Sequence, residues 1–151
     1  MKRLSRLPML FTETPVYFVT ACTEKRRRLL ADAASHEVFR QFCLNGRERG
    51  ALVGRYVLMP DHLHLFVCIP PGDMRLSMWM KSLKNTLSKH WRTGNIEAPH
   101  WQKGFFDHLL RSGESHAEKW KYVRENPVRA GIVSKAEAWP YAGYILPDSW
   151  T

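Results

Sequence analysis

Two strand-like runs, Leu52 to Met59 and His62 to Ile69, stand on either side of Pro60-Asp61. A proline–aspartate step between such runs predicts a tight β-hairpin. A hairpin at mid-chain commits the fold to antiparallel pairing, because consecutive strands joined this closely cannot run parallel. Side chains alternate along a strand, so Leu63, Leu65, Val67 and Ile69 make one apolar face. His62, His64, Phe66 and Cys68 make the other, polar at its start and apolar at its end. The two histidines therefore lie opposite the main core face.

The flanking chain supplies the rest of a sheet. Val16-Tyr17-Phe18-Val19-Thr20, β-branched and aromatic after Pro15, reads as a first strand, and Lys25-Arg26-Arg27-Arg28 as a basic turn. Val38, Phe39, Phe42 and Cys43 recur at helical spacing between about Ser35 and Arg49, with Gly50 as a stop. A longer helix is expected from about Arg75 to Arg92, with Leu76, Met80, Leu83, Leu87 and Trp91 as its apolar stripe. Gly94 and Pro99 break the chain, and Trp101 to Leu110 reads as a fourth strand. Ser115-x-x-Glu118 resembles a capping box opening a last helix, which Pro127 ends at or just before Asn126. The order β-α-β-β-α-β-α matches, in its first six elements, an α+β, ferredoxin-like (split βαβ) antiparallel sheet. In that fold helices cover one face and leave the other for ligands or an added helix. With no repeat, low-complexity tract or linker, residues 1–151 are expected to form a single domain.

Hydrophobic residues at 44% and aromatics at 12% exclude a disordered chain. Lys and Arg number 23 against 14 Asp and Glu, a formal charge of +9, and the pI is near 9.8. Such a balance points to a polyanionic partner, nucleic acid first; the alternative is charge kept for solubility alone. Cys22, Cys43 and Cys68 are odd in number, form no Cys-x-x-Cys and lie in apolar stretches, so they read as small buried hydrophobes in a reducing compartment. The apolar run Pro8 to Phe11 after Lys2, Arg3 and Arg6 is too short for a signal-peptide core, and no run approaches the ~20 residues of a membrane span. A cytoplasmic protein is expected.

Two imidazoles on one strand face can hold a divalent cation, although such pairs are often only hydrogen-bonded. The cysteine spacing excludes a structural zinc site. Two histidines completed by an oxygen ligand leave coordination positions free, as Mg²⁺ or Mn²⁺ with a substrate phosphate requires. On the last helix the apolar stripe is Ala117, Trp120 and Val123, and Tyr122 sits off it with Glu118 and Asn126. Asn126 at i+4 can lend an amide oxygen to a metal while the phenol points at phosphorus, or it can be a turn residue before Pro127. A phenol with a pKa near ~10 needs help to attack a phosphodiester. A cation on a non-bridging oxygen gives that help by offsetting the charge of the transition state. The resulting phosphotyrosine keeps the energy of the broken linkage, so a free 3′ hydroxyl can reverse the step on a different end.

Met59-Pro60-Asp61-His62-Leu63-His64, Trp101-Gln102-Lys103-Gly104-Phe105-Phe106-Asp107-His108 and Tyr122-Val123-Arg124-Glu125-Asn126-Pro127-Val128-Arg129-Ala130-Gly131 resemble the REP-associated tyrosine transposases. These belong to the HUH single-tyrosine transposase superfamily, in which U is hydrophobic, here Leu63. The resemblance runs from about Tyr17 to Trp139-Pro140-Tyr141, and the tyrosine-to-glycine motif is its most specific part. It implies cutting and rejoining of single-stranded DNA at repetitive extragenic palindromes, which fold into hairpins. His62, His64 and Asn126 would be metal ligands, Mg²⁺ or Mn²⁺ the cofactor, and Tyr122 the nucleophile that takes the 5′ phosphate. The C-terminal tyrosine-bearing helix would lie on the open sheet face. The protein would be a monomer or a homodimer, cytoplasmic and nucleoid-associated, with no membrane partner.

Arg26, Arg27 and Arg28, with Lys81, Lys84 and Arg92, are the candidates for gripping the DNA backbone, against plain surface charge for each. Two other readings compete with the strand transferase. A non-catalytic single-stranded nucleic-acid-binding module on the same sheet would have no need of His62, His64, Tyr122 and Asn126. A metallohydrolase of small phosphate esters would be indifferent to Tyr122→Phe.

Overall fold

A computed structural model describes residues 15–72, 74–110 and 113–146, the side chains of 113–115 excepted. The basic N-terminal residues and the run Pro8 to Phe11 lie outside them. Its core is a five-stranded antiparallel sheet in the order β4-β1-β3-β2-β5. The strands are β1 Val16–Cys22, β2 Leu52–Leu58, β3 His62–Cys68, β4 Phe106–Leu110 and β5 Ala142–Tyr144. The first four have the ferredoxin-like order expected of a split βαβ chain. Among the described residues no helix is long and apolar enough to cross a membrane.

The central hairpin forms as its sequence predicts, with Leu58 paired to Leu63 and Val57 to His64. Two helices, α1 Ala33–Gly46 and α2 Leu76–Thr93, cover the face that carries Leu63, Leu65 and Val67. Asp32 caps α1, its carboxylate accepting from the Ser35 amide at 2.8 Å, which satisfies one of the orphan donors of the first turn. Phe39 of α1 packs at 4.8 Å on Tyr56, a residue paired with Leu65 and so on the same face. The α2 stripe is buried as expected at Met80, Leu83, Leu87 and Trp91, together with Trp79. The Trp91 indole N–H donates to Ser35 Oγ at 2.9 Å, tying α2 to α1.

The opposite face receives α3 Gly113–Arg124. Trp120 and His116 lie 6.4 Å from Phe66, and Lys119 lies 5.0 Å above the Phe18 ring. The buried stripe is centred on His116 and Val123, with Trp120 half-buried, whereas Ala117 is exposed. The anticipated stripe was thus one residue out of phase at its start. The helix is already formed at Gly113, so Ser115 lies inside it and cannot be its N-cap; the Ser115 side chain itself is outside the described set. As Pro127 requires, α3 stops at Arg124, and a single turn, α4 Asn126–Arg129, follows with Pro127 near its start, where a missing N–H costs nothing.

Two further differences have local causes. The fourth strand begins at Phe106, not Trp101, because Gly104 turns into the left-handed region at φ 73° and interrupts the extended chain. Trp101 makes only an isolated bridge to Thr23. The unexpected β5 adds to β2 through Tyr56–Gly143 and Val57–Ala142 pairs. It is anchored by the buried Trp139, whose indole donates to the Leu58 carbonyl at 3.0 Å.

Candidate active site

Strand register places one face in order around His62 and His64. Cys22 is opposite His62, Thr20 opposite His64 and Phe18 opposite Phe66 across β1, while Val57 flanks His64 across β2. Beyond β1, Phe106 pairs with Thr20 and His108 with Phe18. The two imidazoles are 4.8 Å apart between ring centroids at 81°, and Phe18 stacks on His64 at 5.2 Å. Both histidines thus stand on the sheet face opposite α1 and α2, as alternation required.

Each histidine has its Nδ1 side engaged. Asp61 Oδ1 lies 2.8 Å from His62 Nδ1. Partial burial would push the Asp61 carboxyl up, but hydrogen bonds from Arg26 and His62 outweigh it and hold the group below its ordinary value. An ionised carboxylate only accepts, so the His62 proton is fixed on Nδ1 and the Nε2 lone pair is left over. Thr20 Oγ1 lies 2.9 Å from His64 Nδ1 and serves the same purpose when it accepts. Burial, with smaller effects of the charges of His62, Lys119, Arg129 and Arg26, lowers the His64 pKa to about 3. His64 is therefore a neutral ring at neutral pH, the form that binds metal.

This donor set fits a divalent cation of open coordination. Among the described residues no group of three His, Cys, Asp or Glu side chains comes together, so a cation here takes two imidazoles and donors of another kind. Asn126 is the amide expected from the sequence. Its Oδ1 accepts a hydrogen bond from the Arg129 guanidinium, which also donates to the Tyr122 carbonyl at 2.6 Å and covers the Tyr122 ring. One side chain thus brings Tyr122 and Asn126 together across the helix break at Glu125. Lys119 of α3 lies over Phe18, which stacks on His64, so α3 runs across the face that carries the histidines. Tyr122 itself is 63% exposed. With Lys119, Glu118, His108 and Leu110 it lines an open hollow of about 420 Å³ between α3 and β4.

The six basic candidates divide by position. Lys25 and Arg26 both adopt positive φ, near 53° and 54°, a conformation that costs a non-glycine residue about 1 kcal/mol or more. This turn aims Arg26 back at the site, where Nε donates to Asp61 Oδ2 at 2.8 Å and Nη2 stands 3.3 Å from His62 Nδ1. Because that nitrogen already donates to Asp61, the second approach is a contact only. Arg27 donates to the carbonyls of Glu97 at 2.6 Å and Pro99 at 2.9 Å, bracing the loop after α2. Arg28 is exposed. Lys84 turns its ammonium onto the carbonyls of Gln102, at 3.0 Å, and Gly104, and lies over the Trp101 ring. In this structure it braces the segment before β4. Lys81 and Arg92 are exposed on α2, in the layer across the sheet from the histidines. Cys43 and Cys68 are buried, while Cys22 is only half-buried beside His62.

Sequence reasoning did not single out Thr20, whose only signal is its register against His64, or Arg129, which stood inside the quoted tyrosine motif without a role.

A family model described as IS200-like transposase matches residues 13–126. The chain is 26% identical over 160 aligned positions to a Haemophilus influenzae protein provisionally named a REP-associated tyrosine transposase, covering 93% of this chain and 89% of that one. It is 24% identical over 142 positions to the REP-associated tyrosine transposase of Escherichia coli K12, covering 89% and 82%. Among solved structures, a REP-associated tyrosine transposase bound to a REP hairpin superposes with a TM-score of 0.71 at 23% identity, over 85% of this chain and 76% of that one. A provisionally named transposase of Deinococcus radiodurans gives 0.53 at 17% identity, over 73% and 88%. At these identities the structural matches establish the fold.

Proposed function

The chain belongs to the IS200-like transposase family, and from that premise we propose that it cleaves and rejoins single-stranded DNA at REP-type hairpins through a 5′-phosphotyrosine on Tyr122. The observation that carries this reading is a pair of histidines, each with its Nδ1 side engaged, on the sheet face that also receives the helix of a solvent-facing tyrosine, whose neighbouring amide is held by the same arginine as its own carbonyl. The likeness to a transposase solved with a REP hairpin supports the choice of substrate. Residues 1–151 act as one catalytic domain, and such a substrate places the protein on nucleoid DNA in the cytoplasm.

His62, His64 and Asn126 would hold Mg²⁺ or Mn²⁺. When bound, the cation supplies Lewis-acid stabilisation of the phosphate oxygens. The chain's own residues do the rest. Asp61 holds His62 in the tautomer that presents Nε2, and Thr20 does the same for His64 when its hydroxyl accepts from Nδ1. Arg129 would keep Asn126 Oδ1 oriented through one lone pair and leave the other for the cation, while it holds the Tyr122 ring from its face. Tyr122 Oη then bonds to phosphorus as the P–O3′ bond breaks; the phenolic proton passes to water, and the departing 3′ oxygen takes one up. Exposure of Tyr122 leaves room for in-line approach. A free 3′ hydroxyl reverses the same steps to rejoin a strand.

The test is cleavage of labelled hairpin DNA with single-stranded flanks, with Mn²⁺ or with EDTA. Cutting that needs metal and is lost in His62→Ala and His64→Ala, with DNA binding kept, supports the reading. Equal binding and no cutting by the metal-loaded wild-type protein would favour the non-catalytic binding module instead.

A further inference from the structure

β4 is an edge strand that pairs with β1 alone among the described residues, and its first residue, Phe106, is 72% exposed. A single exposed apolar side chain is common on protein surfaces, so exposure by itself means little. Position gives it meaning. Phe106 pairs with Thr20, and Thr20 with His64, so the three residues form a row across one sheet face. At two strand spacings the Phe106 backbone is roughly 10 Å from that of His64. Two residues along β4, on the same face, His108 opens the hollow that Lys119 and Tyr122 close. The ring therefore stands on the sheet face of the histidines, at the start of a line along β4 that leads to the hollow of the tyrosine.

The surroundings suit a polyanion with flat apolar faces. Lys103 is exposed in the turn just before Phe106, Lys119 lies over the neighbouring Phe18, and the chain carries +9 overall. The turn is held firmly, since Lys84 is bonded to the Gln102 and Gly104 carbonyls and Gln102 donates to the Thr23 carbonyl at 3.2 Å. A braced aromatic beside cationic groups is the arrangement that stacks unpaired bases while the backbone follows the charge.

We propose that Phe106 is a stacking site for one unpaired DNA base next to the scissile phosphate, with its neighbour directed into the hollow of His108, Lys119 and Tyr122. This inference rests on the single-stranded DNA reading above. It makes the contact tolerant of base identity, because every base has a stacking face.

Binding is measured by fluorescence anisotropy in a Tyr122→Phe background, with two probes: a DNA hairpin carrying randomised single-stranded flanks, and the same hairpin with blunt ends. Phe106→Ala is expected to weaken the flanked probe roughly tenfold and leave the blunt probe unchanged. Phe106→Trp should retain affinity, whereas Phe106→Leu, which keeps apolar bulk without a π face, should behave as the alanine variant. Removing single flank bases in turn should identify one position at which the parent and Phe106→Ala become equal. Equal affinity of the parent and Phe106→Ala for the flanked probe overturns the stacking site and leaves the function intact. A parent that binds neither probe overturns both. If Phe106→Ala instead converts a dimer to a monomer in sedimentation with DNA affinity unchanged, the ring is a contact between copies of the chain and the proposal fails.

Discussion

The Arg129 guanidinium lies 3.8 Å from the centre of the Tyr122 ring while its Nη2 donates to Asn126 Oδ1. Tyr122 and Arg129, seven residues apart, meet across the break where α3 stops at Arg124 and the turn containing Pro127 begins at Asn126. The Tyr-to-Gly motif thus reads as one device, in which the arginine positions the proposed nucleophile and the proposed third ligand together.

Arg129→Ala is accordingly expected to slow cleavage more than it weakens binding. Loss of the cation–π contact and of a charge-assisted hydrogen bond amounts to about 2 kcal/mol, roughly thirtyfold in rate. Single-turnover cleavage read beside DNA affinity checks this, and Arg129→Lys should restore only part, since an ammonium cannot both cover the ring and bridge as a fork does. A fall in affinity with unchanged single-turnover rate would instead make Arg129 a backbone contact.

Asp61 bonds Nδ1 of the proposed ligand His62 and leaves Nε2 to the metal, so its removal should act through metal. Asp61→Ala is expected to weaken Mn²⁺ binding by roughly ten- to a hundredfold, measured by calorimetry on the protein without DNA. Asp61→Asn should lose less, because an amide oxygen can still accept from Nδ1.

The basic residues should separate by their place in the fold. Each true phosphate contact removed lowers the salt slope of DNA binding by about 1. Arg26→Ala and Arg28→Ala, on the turn beside His62, should show this. Lys81→Ala and Arg92→Ala, on the far layer, should not. Lys84→Ala should lower the thermal midpoint through the lost carbonyl contacts and leave the slope alone.

Acid should weaken the fold through two histidines of depressed pKa, His64 most and, separably by mutation, His36, which lies 2.7 Å from the Tyr56 hydroxyl. Burial, joined by the charge of Arg40, holds His36 below its ordinary value. The unfolded chain therefore takes up this proton first, near ~6.5, while the folded chain does so at lower pH. The stability contributed is complete above the unfolded value and is lost as pH falls through the folded one. Urea midpoints between about pH 7.5 and about pH 5 should drop, and less so in His36→Gln. An unchanged slope in that variant would assign the effect elsewhere.

Local pattern was enough for the hairpin, the two covering helices and the face of the histidines, because alternation and helical spacing record burial directly. Features set by distant parts of the chain were not legible. β5 is three residues long and owes its strand form to β2 and to Trp139. The phase of α3 depends on how it lies on Phe66, so His116 in place of Ala117 could not be read in advance. Arg26 reaches the site only through a positive-φ turn, and Lys84 leaves the surface only because a loop folds over it. In the site, residue types and spacing pointed to His62, His64 and Tyr122. The partners Thr20, Asp61 and Arg129 needed coordinates.

The most direct test of the account is covalent capture. Wild-type protein with Mn²⁺ and flanked hairpin DNA should give a protein–DNA adduct on a denaturing gel, and peptide mass spectrometry should place the nucleotide on Tyr122. EDTA and Tyr122→Phe should each abolish it. An adduct that survives Tyr122→Phe, or metal-dependent cutting with no adduct at all, would contradict the account.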